Sequence, residues 1–153
     1  MSAWSKLYRK DLISDLSFIP GITMEDYPHT YAVLAKHPKT VIVNIPLYYY
    51  TYNQNSISAK PLTVKNIQDY QIGLNFVMDA YKHSSKKEQR FVLHEIFPNI
   101  LKQQFNKIGK SENQDELYRA FSTELQDLDS KGLLKLWGHK FSRYMKYKRL
   151  IKK

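Results

Sequence analysis

Two adjacent carboxylates, Glu25 and Asp26, stand in "FIPGITMEDYPHTY" between a Pro-Gly turn and Pro28. A carboxylate within reach of a hydroxyl can take its proton as the oxygen attacks an electrophile, but an isolated Glu-Asp pair carries almost no information about such a role. His29 follows one helical turn after Asp26 and joins it as a candidate. Without context, an acidic pair here would cap free N–H groups and favour the positive end of a helix dipole. Other chemistry is scarce. There is no cysteine, which excludes disulfides, thiolate nucleophiles and Cys-type metal sites and fits a reducing compartment. His29, His37, His83, His94 and His139 show no metal-ligand spacing, and the scattered glycines form no phosphate loop. One Asp-x-Asp occurs, Asp127 and Asp129, but it ends an amphipathic helical pattern with no apolar strand before it, and reads as solvated helix surface.

The elements that must hold these groups divide the chain in two. Residues 1–60 have a mixed α/β texture, with short apolar pieces punctuated by turn formers. Pro28 is tolerated in a first helical turn, so a helix is expected from Asp26 or Tyr27, with Tyr27, Tyr31 and Leu34 on one face and Pro38 as its stop. Residues 41–52, "VIVNIPLYYYTY", are β-branched and aromatic and predict a strand, with Pro46 placing it at an edge or a bulge. Strand alternation sends Tyr48, Tyr50 and Tyr52 to one face and Tyr49 to the other. Such rings could stack on sugar faces, but packing in a core or an interface is the stronger reading.

Residues 61–153 are helical in pattern. Ile67, Tyr70, Leu74, Val77, Met78 and Tyr81 form an apolar stripe with a period near 3.6. "SKKE" at 85–88 and "NQDE" at 113–116 are capping-box starts of two further helices. The second carries Tyr118, Phe121, Leu125 and Leu128 on one face and stops at Gly132, while Pro98 should kink or divide the helix that begins near Ser85.

The net charge of +10 is concentrated at one end. Residues 131–153 hold nine of the 24 Lys and Arg and no acid, which leaves 15 basic against 14 acidic residues elsewhere. In this segment Leu134, Trp137, Phe141, Tyr144 and Met145 recur at helical spacing amid Lys135, Lys140, Arg143, Lys146 and Arg149. That is the composition of a helix lying on an anionic membrane surface, and equally of one docked on its neighbours with a basic rim outward. No apolar run approaches the ~18 residues of a spanning helix, and no signal peptide is evident.

Order and spacing add a further reading. "WSKLYRKDLI", then Phe18 and "PGITMED", then a helix, then "IPLYYYTYN" and "NSIS" at 55–58, together resemble the acceptor-side half of family 2 glycosyltransferases, over roughly residues 3–82. The resemblance implies a partial GT-A-like fold of short strands plus helices, followed by a helical C-terminal region. It implies inverting transfer of a sugar from a nucleotide-sugar to an acceptor hydroxyl, as in polysaccharide biosynthesis. It assigns the base to Asp26 with Glu25 beside it, and suggests His29, Tyr48 and Tyr50 as acceptor contacts. The nucleotide-binding half, with its Asp-x-Asp and divalent metal, has no counterpart in the sequence. A truncated enzyme is therefore expected, with no cofactor of its own, inactive without that half.

The implied partners are a sugar or lipid-linked acceptor, a donor-binding half or a second copy of the chain, and an anionic membrane surface met by residues 131–153. The implied location is the cytoplasm or the inner face of the membrane. The even charge balance outside the tail argues against nucleic acid. The alternative is a non-catalytic helical interaction module whose basic tail binds an anionic membrane or nucleic acid.

Overall fold

A computed structural model describes residues 2–51, 53, 56–57 and 60–130. Its elements are α1 (Lys10–Ile13), α2 (Asp26–Ala35), α3 (Val64–Ala80), α4 (Lys86–Phe91), a π-helical turn (Val92–Ile96), α5 (Phe97–Ile108) and α6 (Gln114–Ser130). The fold of the described residues is all-helical. The basic amphipathic segment and the expected stop at Gly132 lie outside them, as does Tyr52.

The largest correction concerns residues 41–51. No strand occurs among the described residues, and the α/β, GT-A-like half with short strands is not formed. β-Propensity expresses a fit to a pleated, partnered surface, and a strand is completed only by a ladder to a neighbour. Among the described residues nothing pairs with this segment, so its apolar side chains stay in solvent, from Tyr48 at 53% exposed to Ile42 at 90%.

The helices follow their sequence signals more closely. Thr63 opens α3 with a capping box: its side chain accepts from the Asn66 N–H, and Asn66 Oδ1 accepts from the Thr63 N–H at 2.8 Å. Ser85 and Glu88 do the same for α4, with Ser85 N–H donating to Glu88 Oε2 at 2.9 Å. Pro98 sits in the first turn of α5, directly after the π turn. Proline has no N–H to donate back to the preceding turn, and the widened helix at Val92–Ile96 takes up the mismatch.

The core forms where α3 meets α2 on one side and α6 on the other, with α5 against α6. Ile67, Tyr70, Leu74, Val77 and Tyr81 are buried as the stripe predicts, and Met78 is half-buried. On α6 the fully buried face is Leu117, Phe121, Leu125 and Leu128; Tyr118 lies at its margin, against Phe105. Asp127, expected to be solvated, is half-buried and accepts a hydrogen bond from the buried Gln71 Nε2 at 3.0 Å, tying α6 to α3. The α2–α3 contact is close. Tyr27 Oη donates to the Tyr70 carbonyl at 2.6 Å, and a Cβ at Gly73 would fall 2.1 Å from that hydroxyl oxygen, so only glycine fits there.

Candidate active site

The acidic pair stands where a tightly held loop enters α2. Gly21 and Met24 both adopt left-handed backbone, at φ 75° and 62°. Glycine takes this conformation freely, whereas at Met24 it costs energy that surrounding contacts must offset. Those contacts come from α3. Asp69, 3% exposed, accepts from the Thr23 N–H at 2.8 Å and from Thr23 Oγ1–H at 2.9 Å, and Lys65 Nζ reaches both its oxygens at 2.8 Å. Lys65 also donates to the Gly21 carbonyl at 2.8 Å, and Asn66 Nδ2 donates to Thr23 Oγ1 at 2.9 Å. Burial pushes the Asp69 carboxyl up, but the Lys65 and Thr23 donors outweigh it and hold the group below the usual carboxylate range. The start of α2 is thereby fixed to the core.

Asp26 is the first residue of α2 and is half-buried; Glu25, before it, is exposed. Glu25 occupies the N-cap position yet its side chain caps no backbone N–H; the pair still lies at the positive end of the α2 dipole, so only the capping part of the role expected without context is unfilled. Around Asp26 lie Tyr8, His29 and Thr30. Thr30 Oγ1 donates to the Asp26 carbonyl at 2.7 Å. Burial pushes the Tyr8 hydroxyl up, Thr30 partly reverses this, and the Asp26 charge raises it again.

His29 is more deeply placed than its sequence position suggested. It is 5% exposed, stacks on Phe18 with ring centroids 4.2 Å apart, and meets Tyr8 edge-on at 6.3 Å. Its Nδ1 has no hydrogen-bond partner among the described residues. Burial lowers the His29 pKa, and the nearby Asp26 carboxylate opposes that shift. His29 is thus chiefly a neutral ring walling the site from the inside.

Tyr48 and Tyr50 lie in a different group. Both stack on Trp4, at 4.9 and 5.3 Å, while Tyr49 turns away and is 89% exposed. Alternation along the chain therefore survives without a sheet. These rings form an exposed platform rather than core. Among the described residues no hydrogen bond or ring contact joins the platform to Asp26, and two cavities lie elsewhere. One, of about 390 Å³, is bordered by Leu34, His37, Tyr81 and Glu88, with His37 Nε2 3.0 Å from Glu88 Oε1; the other, of about 490 Å³, surrounds the start of α6.

Among the described residues there is no group of three or more His, Cys, Asp or Glu side chains that could hold a metal ion. No protein family, no curated protein and no solved structure matches this chain. The resemblance to family 2 glycosyltransferases rests on the motif order across residues 4–58 alone. Sequence reasoning assigned no role to Tyr8, Phe18 and Asp69. The signal for Asp69 was legible: it is a carboxylate on the buried side of the α3 stripe, between Ile67 and Tyr70, where an acid needs partners.

Proposed function

We propose that the chain is the acceptor-side component of an inverting sugar transferase, working with a partner that brings the nucleotide-sugar. The observation that carries this reading is the placement of Asp26: half-buried, at the start of a helix, on a loop braced by the buried Asp69. Positioning of this kind is what a general base requires. In the proposed step the acceptor hydroxyl gives its proton to an Asp26 carboxylate oxygen while its oxygen bonds to the anomeric carbon. The bond from that carbon to the diphosphate breaks, and the electron pair leaves on the phosphate oxygen. In this reading Glu25 meets further acceptor hydroxyls, Tyr8 and His29 lie beside Asp26, and the Trp4–Tyr48–Tyr50 platform offers a stacking face for a sugar ring. A peripheral position at a membrane face, with residues 131–153 as a contact, belongs to the same proposal; no helix among the described residues is long and apolar enough to cross a bilayer.

The test has two stages. The full chain is screened on a glycan array, with Trp4→Ala as the control that removes the platform. The co-purified assembly is then assayed with labelled nucleotide-sugars. Selective glycan binding that Trp4→Ala weakens is expected, together with a fall in transfer of about 10²–10⁴-fold in Asp26→Asn. Binding to no glycan, or unchanged transfer in Asp26→Asn, overturns the reading.

The nine basic residues of 131–153 favour a second reading, a non-catalytic module that binds an anionic surface or nucleic acid through that tail. Steep weakening of nucleic-acid binding with salt would support it.

A further inference from the structure

The densest exposed apolar feature of the molecule is residues 41–50. Val41, Ile42, Val43, Ile45, Leu47 and Tyr49 are between 59% and 90% exposed, far more contiguous apolar surface than scattered single residues present. Near the C-terminal end of this segment Tyr48 and Tyr50 stack on Trp4, while Val41, Ile42, Val43, Ile45, Leu47 and Tyr49 keep most of their surface in solvent.

Charge says what covers it. No Asp or Glu stands between Asp26 and Asp69. Lys39 before the loop and Lys60 after it are exposed and pair with no carboxylate among the described residues, while Lys6 lies beside the platform, donating to the Ser2 and Trp4 carbonyls. A strand docked on another protein's sheet fits less well. Ile42, Tyr48 and Tyr50 add large apolar groups at even positions to Val41, Val43, Ile45, Leu47 and Tyr49 at odd ones, so a docked strand would require cover on both faces, and Pro46 removes a ladder donor from the middle. Apolar residues with tyrosines, bordered by lysines and free of acids, suit the interface of an anionic bilayer, where an aromatic ring sits at headgroup level and ammonium groups meet phosphates.

We infer that residues 41–50 are an interfacial insertion loop that docks the chain on an anionic lipid surface. The depth is shallow, because a backbone without internal hydrogen bonds cannot enter the hydrocarbon. Val41, Ile42, Val43, Ile45, Leu47 and Tyr49 reach the boundary between headgroups and acyl chains, and Lys39 and Lys60 remain among the headgroups. The inference is independent of the role proposed for Asp26, and it names a membrane contact separate from residues 131–153.

The absence of native cysteine allows a direct test on the full chain. Ile42→Cys, Tyr49→Cys and, as a control on the exposed side of α5, Lys102→Cys are each labelled with an environment-sensitive fluorophore. They are mixed with phosphatidylcholine vesicles that contain or lack phosphatidylglycerol. A blue shift and intensity rise at 42 and 49, only with anionic vesicles and absent at 102, is expected. The double variant Ile42→Asp, Tyr49→Asp should partition about tenfold or more weakly with an unchanged helical circular dichroism spectrum. Vesicle binding with the label at 42 still in water would assign docking to residues 131–153 and overturn the inference. So would the absence of vesicle binding, or a blue shift at 42 that follows protein concentration without lipid, the mark of a protein partner.

Discussion

The helices from α3 to α6 and the segment 41–50 are both rich in large apolar residues, but they dispose of them in opposite ways. Phe97, Phe121, Leu74, Leu101, Leu117 and Leu125 are shut away from water, because each lies on a helical face that meets another helix. In 41–50, eight large apolar side chains stay more than half exposed. A helix satisfies its own backbone and needs a neighbour only for one face, whereas an extended segment needs a neighbour for its backbone and its side chains alike. Apolar composition therefore marks stability in the first region and interaction in the second. Between them lies α2, whose inner face belongs to the core through Tyr27 and whose first turn carries the candidate site.

Stability measurements on substitutions should separate these regions sharply. The largest effect is expected in the core: Phe121→Ala should lower unfolding free energy by about 3–5 kcal/mol, while Tyr49→Ala should change it by no more than about 0.5 kcal/mol. Equal losses in chemical denaturation would break the contrast, since they would mean that the exposed segment packs as core.

Next in size is the brace between α3 and the loop before α2. Asp69→Asn should cost about 2 kcal/mol, because it weakens the pairing with Lys65 and the hydrogen bonds from Thr23. The native Asp69 pKa lies below its unfolded value, so its contribution is present above the ordinary carboxylate range near pH 4 and is lost as pH falls through the native pKa. The wild type and the variant should accordingly converge in stability on acidification. A constant gap down to about pH 2 would show that the brace is not ionic.

The smallest effect is expected at His29. Its folded pKa is lowered, so the unfolded chain takes up the proton first as pH falls below about 6.5, and native stability declines through that window. His29→Phe removes both the titration and the unpaired Nδ1 while keeping a ring to stack on Phe18. It should be neutral or stabilising by up to about 1 kcal/mol at pH 7 and flatten the decline below about pH 6.5. A loss of glycan binding in this variant despite intact stability would sharpen the contrast by placing His29 in recognition rather than in packing.

Much of this was open to reading in the chain itself. The α3 stripe, the Ser85–Glu88 capping box, the start of α2 at Asp26 and the disruption around Pro98 are local, encoded in residues three or four apart, and they appear where spacing put them. The pair Glu25–Asp26 was visible for the same reason. Long-range relations were not. Nothing in the sequence tells that Asp69 holds Thr23, that Gly73 makes room for the Tyr27 hydroxyl, or that Asp127 receives Gln71, because each joins residues more than forty positions apart.

The sequence by itself determined the helices from α2 to α6, the Ser85–Glu88 cap and the apolar faces of α3 and α6, since backbone hydrogen bonding and amphipathic spacing are properties of a few consecutive residues. Only the tertiary structure decided that His29 is buried, with no hydrogen-bond partner for its Nδ1 among the described residues, that Asp26 is half-covered beside Tyr8, and that the segment rich in β-formers has no ladder among them. Burial and strand pairing depend on what the rest of the chain brings alongside, and local propensity carries no information about the neighbour.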